Sequence, residues 1–178
     1  MKYIPTWCSS NIFSIDIDVL KENNIKYILT DLDNTLAPFN VAFASEQVKE
    51  LVANLKNEGF EVIIVSNNTA KRVAIFAEDL NVGVIPGAKK PFTFTINKYL
   101  KDHNIDINEC VLIGDQIMTD IRCANKLGCK CVLTTPLAQK DALVTYINRK
   151  IDQHLRKKYN LIKVCKKIDR SDRRWVKN

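Results

Sequence analysis

Glycine and proline are scarce in this chain, five of each in 178 residues, and histidine is scarcer still, with two. So little Gly and Pro excludes a collagen-like or low-complexity chain, and 46% hydrophobic residues alongside 26% charged ones exclude general disorder. The six cysteines (Cys8, Cys110, Cys123, Cys129, Cys131 and Cys165) are spread too widely for a small disulfide scaffold and read as reduced thiols of a cytosolic protein. Neither His103 nor His154 lies near Cys129 and Cys131 in sequence, so this C-x-C pair reads as one face of a strand and not as a zinc site. No stretch approaches the roughly 18 uninterrupted apolar residues that a spanning helix needs. The first twenty residues lack the apolar core of a secretory signal and carry Asp16 and Asp18 early, so a cytoplasmic or peripheral location is expected. There is no internal repeat and no low-complexity linker.

What is present is charge, unevenly placed. The chain carries 27 Lys and Arg against 20 Asp and Glu, a formal +7. Residues 140–178 hold 13 basic and 4 acidic residues, a net +9, which leaves residues 1–139 slightly acidic at −2. We therefore divide the chain into a folded part, 1–139, and a basic C-terminal helix and tail, 140–178. Such a block suits an anionic partner, a nucleic acid or a lipid surface, or else is a solvated basic helix.

Within the first part, short β-branched runs alternate with helical patterns. Strands are expected over residues 26–30, 61–65, 82–85, 110–113 and 130–133, and helices near 45–57, 69–80, 92–103 and 119–127. Gly59, Gly83 and Gly128 each follow a helical stretch, where a left-handed residue is often needed. The alternation implies an α/β fold, a doubly wound parallel sheet, whose ligands bind beyond the carboxyl ends of the strands.

The residues at those ends are polar and acidic. The first run ends in Asp31-Leu32-Asp33-Asn34-Thr35, the second in Ser66-Asn67-Asn68 and the fourth in Gly114-Asp115, with Asp120 opening the next helix. The third region adds Lys89-Lys90-Pro91. Carboxylates gathered at one edge repel each other unless a cation compensates. Mg2+ suits the oxygen donors present, whereas zinc would want the His or Cys that these positions lack.

Taken in order, DLDNTL, SNN, KKP and GDQIMTD resemble the four motifs of the haloacid dehalogenase (HAD) superfamily of aspartyl-phosphate phosphohydrolases. The form GDQ-x-x-TD and the approach ILTDLDNTL are similar to the YqeG type within HAD subfamily IIIA, whose eukaryotic relatives include mitochondrial phosphatidylglycerophosphate phosphatases. The segment DALVTYINRKIDQ is similar to one that follows the core in that group. The resemblance implies a HAD-like Rossmannoid core and a set of roles. Asp31 is the nucleophile, and Asp33 protonates the leaving oxygen and later activates water. Ser66 and the amide of Asn67 hold phosphoryl oxygens with support from Thr35, and Lys90 neutralises developing charge. Asp115 binds Mg2+ with Asp31 and the main-chain carbonyl of Asp33, and Asp120 binds or orients a metal water. Thr35 also reads as a turn residue, and Asp120 as a helix-start acid.

The spacing leaves no room for a cap domain. Between Asp33 and Ser66 lie 32 residues, enough for one helix and one strand, and between Ser66 and Lys90 lie 23. An open site suits a phosphate carried on something large: a lipid headgroup at a membrane, a nucleic-acid end or a phosphoprotein. In the tail, Leu143, Ile147, Ile151, Leu155, Tyr159 and Ile162 recur at helical spacing, with Arg149, Arg156, Lys157, Lys163 and Lys167 mainly opposite. This amphipathic pattern either packs on the domain or lies on an anionic bilayer. Residues 166–178 read as disordered, and their single Trp175 makes nucleic acid the weaker partner. The expected activity is Mg2+-dependent phosphomonoester hydrolysis, with phosphatidylglycerophosphate the substrate implied by resemblance. The alternatives are nucleic-acid or protein phosphomonoesters, or a scaffold or ribosome-associated binding role.

Overall fold

The computed structural model describes residues 3–138, 145–161 and 165–170, with the backbone alone for 145–149. In chain order the elements are β1 (Trp7–Ser9), α1 (Ile17–Glu22), β2 (Tyr27–Thr30), α2 (Glu46–Asn57), β3 (Glu61–Val65), α3 (Ala70–Ala77), β4 (Gly83–Ile85), α4 (Phe94–Asp102), β5 (Cys110–Gly114), α5 (Arg122–Leu127), β6 (Lys130–Thr134) and α6 (Thr145–Lys158). All six strands are parallel, in the order β1-β6-β5-β2-β3-β4. From β2 the chain winds outward to β3 and β4, then returns to the other side of β2 to lay down β5 and β6. The direction reverses between β2 and β5, and the crevice of such a sheet opens at that point.

Period-two alternation assigns each strand residue to one of two cores. Ile28, Val62, Ile64, Val111 and Ile113 pack with Leu20 of α1, Val48 and Val52 of α2, and Val73 and Phe76 of α3 on one face. Leu29, Ile63, Val65, Leu112 and Leu133 pack with Ile96 and Leu100 of α4 and with Cys123 and Ala124 of α5 on the other. Both faces are covered, which is why these strands read as continuous apolar runs. The helices start where side chains satisfy their free amides: Ser45 accepts from Val48 N, and Thr69 from Arg72 N.

Several expectations need correction. Gly59 and Gly128 do take left-handed φ values of 88° and 86°, but Gly83 opens β4, and the left-handed turn after α3 is made by Asn81 (φ 48°). A side chain at Gly83 would run into Tyr99, since a Cβ there would lie 2.5 Å from its hydroxyl. The helix expected from residue 119 begins instead as a π turn, Ile117–Ile121, that continues into α5. Strand β1 and helix α1 were not anticipated, because three and six residues are too short to show a period.

The thiol reading also fails for two cysteines. Cys8 and Cys165 form a disulfide with Cα atoms 5.8 Å apart, across a sequence separation of 157. Residues 166–170, read as part of a disordered tail, instead pair with the N-terminal segment: Cys8 N donates to Lys166 O and Ile168 N to Cys8 O. Asp169 accepts from Ser9 Oγ and Ser10 N. This pairing brings the thiols together, and no local spacing could have revealed it. Cys110, Cys123, Cys129 and Cys131 are free and buried.

Of the amphipathic pattern in the tail, Leu143, Ile162 and Lys163, like the side chains of Ile147 and Arg149, fall outside the described residues. Leu155 and Tyr159 pack on the second core, while Ile151 is exposed. Among the described residues no helix is long and apolar enough to cross a membrane.

Candidate active site

The site forms where β2, β3 and β5 end. Asp31 continues β2, its amide bonded to Ile113 O of β5 at 2.8 Å, and so stands at the reversal of strand order. Lys90 enters from the loop after β4. Its Nζ lies 2.6 Å from Asp31 Oδ1, 2.7 Å from Asp120 Oδ1 and 2.8 Å from Val65 O. Lys89, by contrast, is exposed with φ 56°, so the two neighbouring lysines have different fates and only Lys90 faces the carboxylates. Asn67 holds the main chain of Lys90 from both sides, accepting from its N–H at 2.6 Å and donating to its C=O at 3.1 Å.

Asp115 follows β5 and is fully buried, as is Asp120 in the π turn. Asp120 fits because residue 114 is glycine. A Cβ at that position would lie 2.3 Å from the Asp120 carboxyl carbon. Asp120 Oδ2 also accepts from Gln116 N at 3.0 Å, which folds the turn back toward β5. Carboxylate oxygens of Asp31, Asp115 and Asp120 all lie within 4.8 Å of one another.

Three carboxylates are buried together in a space largely closed to water, and Lys90 is bonded to two of them. Burial pushes the Asp31 carboxyl up to about 7, with Lys90 pulling it back, and the carboxylates around Lys90 raise its own pKa. An all-oxygen donor set of this kind fits a hard divalent cation.

Asp33 is half-buried and turns away from that cluster. Its Oδ1 is 3.3 Å from Arg72 Nη2, and Asn68 Nδ2 donates to its Oδ2. Burial raises its pKa while Arg72 and Asn68 work against the rise. Ser66 is buried with its Oγ accepting from Asn68 N at 3.1 Å. Thr35 is buried behind the Asp31 loop, and its hydroxyl has no hydrogen-bond partner among the described residues.

Every residue singled out in the sequence therefore stands at one sheet edge, but some supporting residues were missed. Arg72 of α3 carries Asp33 and also donates to the carbonyls of Phe39, Val41 and Ala42. A cation four residues after Asn68, one turn into the helix that follows SNN, was the available signal. Asp152 of α6 accepts from Ile117 N and Met118 N at 2.8 and 3.1 Å, and Arg156 donates to the carbonyls of Asp115 and Thr134. Neither has a local sequence signature.

Residues 1–138 match the family model described as mitochondrial PGP phosphatase. The chain belongs to that family. Its members are phosphatases of the HAD type, and the motif resemblance is borne out. The chain is 36% identical over 153 residues to the probable phosphatase YqeG of Bacillus subtilis strain 168, covering 86% of this chain and 89% of that one. It is 27% identical to phosphatidylglycerophosphate phosphatase 1, chloroplastic/mitochondrial, of Arabidopsis thaliana, where it covers 88% of its own length and 48% of the relative. Among solved structures, an uncharacterised protein from Listeria monocytogenes superposes with a TM-score of 0.53 at 17% identity, over 66% of this chain and 85% of the other. That likeness concerns the fold. As a HAD-type phosphatase, the chain is a phosphomonoester hydrolase built on an uncapped core, since the segments after β2, β3 and β4, residues 31–45, 66–69 and 86–93, are too short to hold a cap domain.

Proposed function

We propose that this phosphatase hydrolyses a lipid-borne phosphomonoester, with phosphatidylglycerophosphate the favoured substrate, through an aspartyl-phosphate on Asp31 and with Mg2+ as cofactor. The observation that carries this reading is the trio Asp31, Asp115 and Asp120 gathered around the buried ammonium of Lys90 at an uncapped strand edge. The names of the matching family and of the Arabidopsis relative support the lipid.

Asp31, Asp115 and Asp120, with the main-chain carbonyl of Asp33, would hold Mg2+. When bound, the ion supplies charge compensation that lets an anionic nucleophile approach an anionic phosphate. In the first half-reaction an Asp31 carboxylate oxygen bonds to phosphorus while the bond from phosphorus to the ester oxygen breaks. The carboxylic acid of Asp33 gives its proton to that leaving oxygen. In the second, the Asp33 carboxylate takes a proton from water as the water oxygen bonds to phosphorus and the bond to Asp31 breaks. Inorganic phosphate leaves, and both side chains return to their starting states. The raised pKa of Asp33 suits a group that must begin protonated. Ser66 and the amide of Asn67 receive the phosphoryl oxygens, and Lys90, held by Asn67, balances the charge that develops on them. The exposed lysines of α6, Lys150, Lys157 and Lys158, support delivery to an anionic membrane.

The decisive assay compares phosphate release from phosphatidylglycerophosphate in vesicles with release from a generic soluble phosphomonoester, both with Mg2+. Faster release from the lipid is expected, and equal rates would overturn the substrate. Asp31→Asn should abolish release with an unchanged circular dichroism spectrum. Full activity in that variant would overturn the mechanism.

A further inference from the structure

The described residues expose six large apolar side chains: Phe39, Phe43, Phe92, Phe94, Leu137 and Ile151. Five of them lie on the segments that leave the carboxyl ends of β2, β4 and β6, the edge that carries the site. Phe43 is 65% exposed, Phe92 67% and Phe94 80%. Isolated exposed apolar residues need no explanation, but a set confined to the rim of one cleft does. Phe39 and Phe43 sit in residues 34–45, a loop without a single charged residue. Three bonds from Arg72 to the carbonyls of Phe39, Val41 and Ala42 pin this loop, and the same guanidinium holds Asp33. Phe92 and Phe94 stand two and four residues after Lys90, and Lys126 Nζ is 5.4 Å from the Phe92 ring. Leu137 N donates to Asn34 O at 2.9 Å, which ties the third segment to the loop of Asp33.

The charge of the rim is one-sided. Among the described residues of the loops after β2, β3, β4 and β6 and the first turn of α3, the exposed charged side chains are Lys71 and Lys89, and the carboxylates belong to the site itself. Phenylalanines around a cleft with cations beside them match an anionic bilayer surface, where rings enter the acyl boundary and ammonium groups stay among the headgroups. A lipid phosphomonoester projects only a short way from that surface, so an uncapped site reaches it when the rim itself is inserted.

We infer that the rim formed by Phe39, Phe43, Phe92, Phe94 and Leu137 is a membrane-docking surface that seats the open site on an anionic lipid bilayer. This deepens the lipid-phosphatase reading and rests on it. The basic tail is then an auxiliary attraction, and the face of insertion is the strand edge.

The test uses the full chain with Mg2+ and vesicles of phosphatidylcholine and phosphatidylglycerol that carry no phosphomonoester. The wild type should cosediment with them. The double variant Phe43→Ser/Phe94→Ser should bind about tenfold or more weakly, since each phenylalanine ring taken out of water contributes at least about that factor. Its release of phosphate from a soluble phosphomonoester should be unchanged, which certifies the fold. Phe94→Trp should show a blue-shifted emission on adding vesicles. Vesicle binding equal in wild type and double variant, whether or not salt abolishes it, overturns the proposal. So does a wild type that stays in the supernatant, the result expected if the rim docks a protein instead. Because these vesicles hold no substrate, the two readings fail separately: a chain that docks through its phenylalanines yet leaves phosphatidylglycerophosphate intact refutes the substrate and keeps the surface.

Discussion

Lys90 bridges two of the three clustered carboxylates, and Arg72 braces a fourth, Asp33, that stands apart from them. In the proposed mechanism this division separates the group that attacks from the group that moves a proton. Arg72→Ala should lower kcat about tenfold to a hundredfold, the scale of a displaced catalytic group, with KM for a soluble phosphomonoester little changed. Arg72→Lys should recover only part of the loss, because an ammonium cannot span Asp33 and three carbonyls at once. Steady-state kinetics on the three proteins checks this. The pH behaviour belongs to the same scale. Asp31 has an ordinary carboxyl pKa of 3.8 that burial raises to about 7. Between about pH 4 and pH 7 the folded, metal-free chain therefore keeps a proton that the unfolded chain has released. Stability must then fall as pH rises through that window. The thermal midpoint in EDTA should drop from pH 5 to pH 7.5, and added Mg2+ should remove the drop by stabilising the ionised carboxylates. The motif residues at this scale were legible because each ends a recognisable strand. Arg72 was not, since a lysine or arginine on a helix is ordinarily a solvated charge.

At the scale of elements, the π turn of residues 117–121 does what a regular helix start would not. It turns Asp120 back over Gly114 toward Lys90, and α6 stabilises it from outside through Asp152. Asp152→Ala would leave the buried amide of Ile117 and the half-buried amide of Met118 without their acceptor, at a cost of about 1–3 kcal/mol. Chemical denaturation should show that loss, and Mg2+ affinity measured by calorimetry should weaken with it, because Asp115 leads into the turn and Asp120 lies within it. Asp152→Asn, which keeps one carbonyl acceptor, should restore part of both. Strands β2 to β6 and helices α2 to α5 were readable to within a few residues, since apolar period and cap residues are local properties. The π turn was not, because its form depends on a carboxylate meeting a lysine thirty residues upstream.

For the whole molecule, the disulfide between Cys8 and Cys165 closes nearly the entire chain and fastens residues 165–170 beside β1, at the edge of the sheet. Cys8→Ser should reduce unfolding stability by about 2–4 kcal/mol in denaturant titrations, with dithiothreitol producing the same loss in the wild type and none in the variant. The sequence by itself determined the sheet class and the four polar strand ends, because hydrophobic period and strand-end chemistry are written over a few consecutive residues. It also located the basic excess in the last 39 residues. Only the tertiary structure decided which cysteines meet and that the exposed phenylalanines share one rim. Those are distances between residues far apart in the chain, and parallel strands with long crossovers bring such residues together only once the whole sheet has formed.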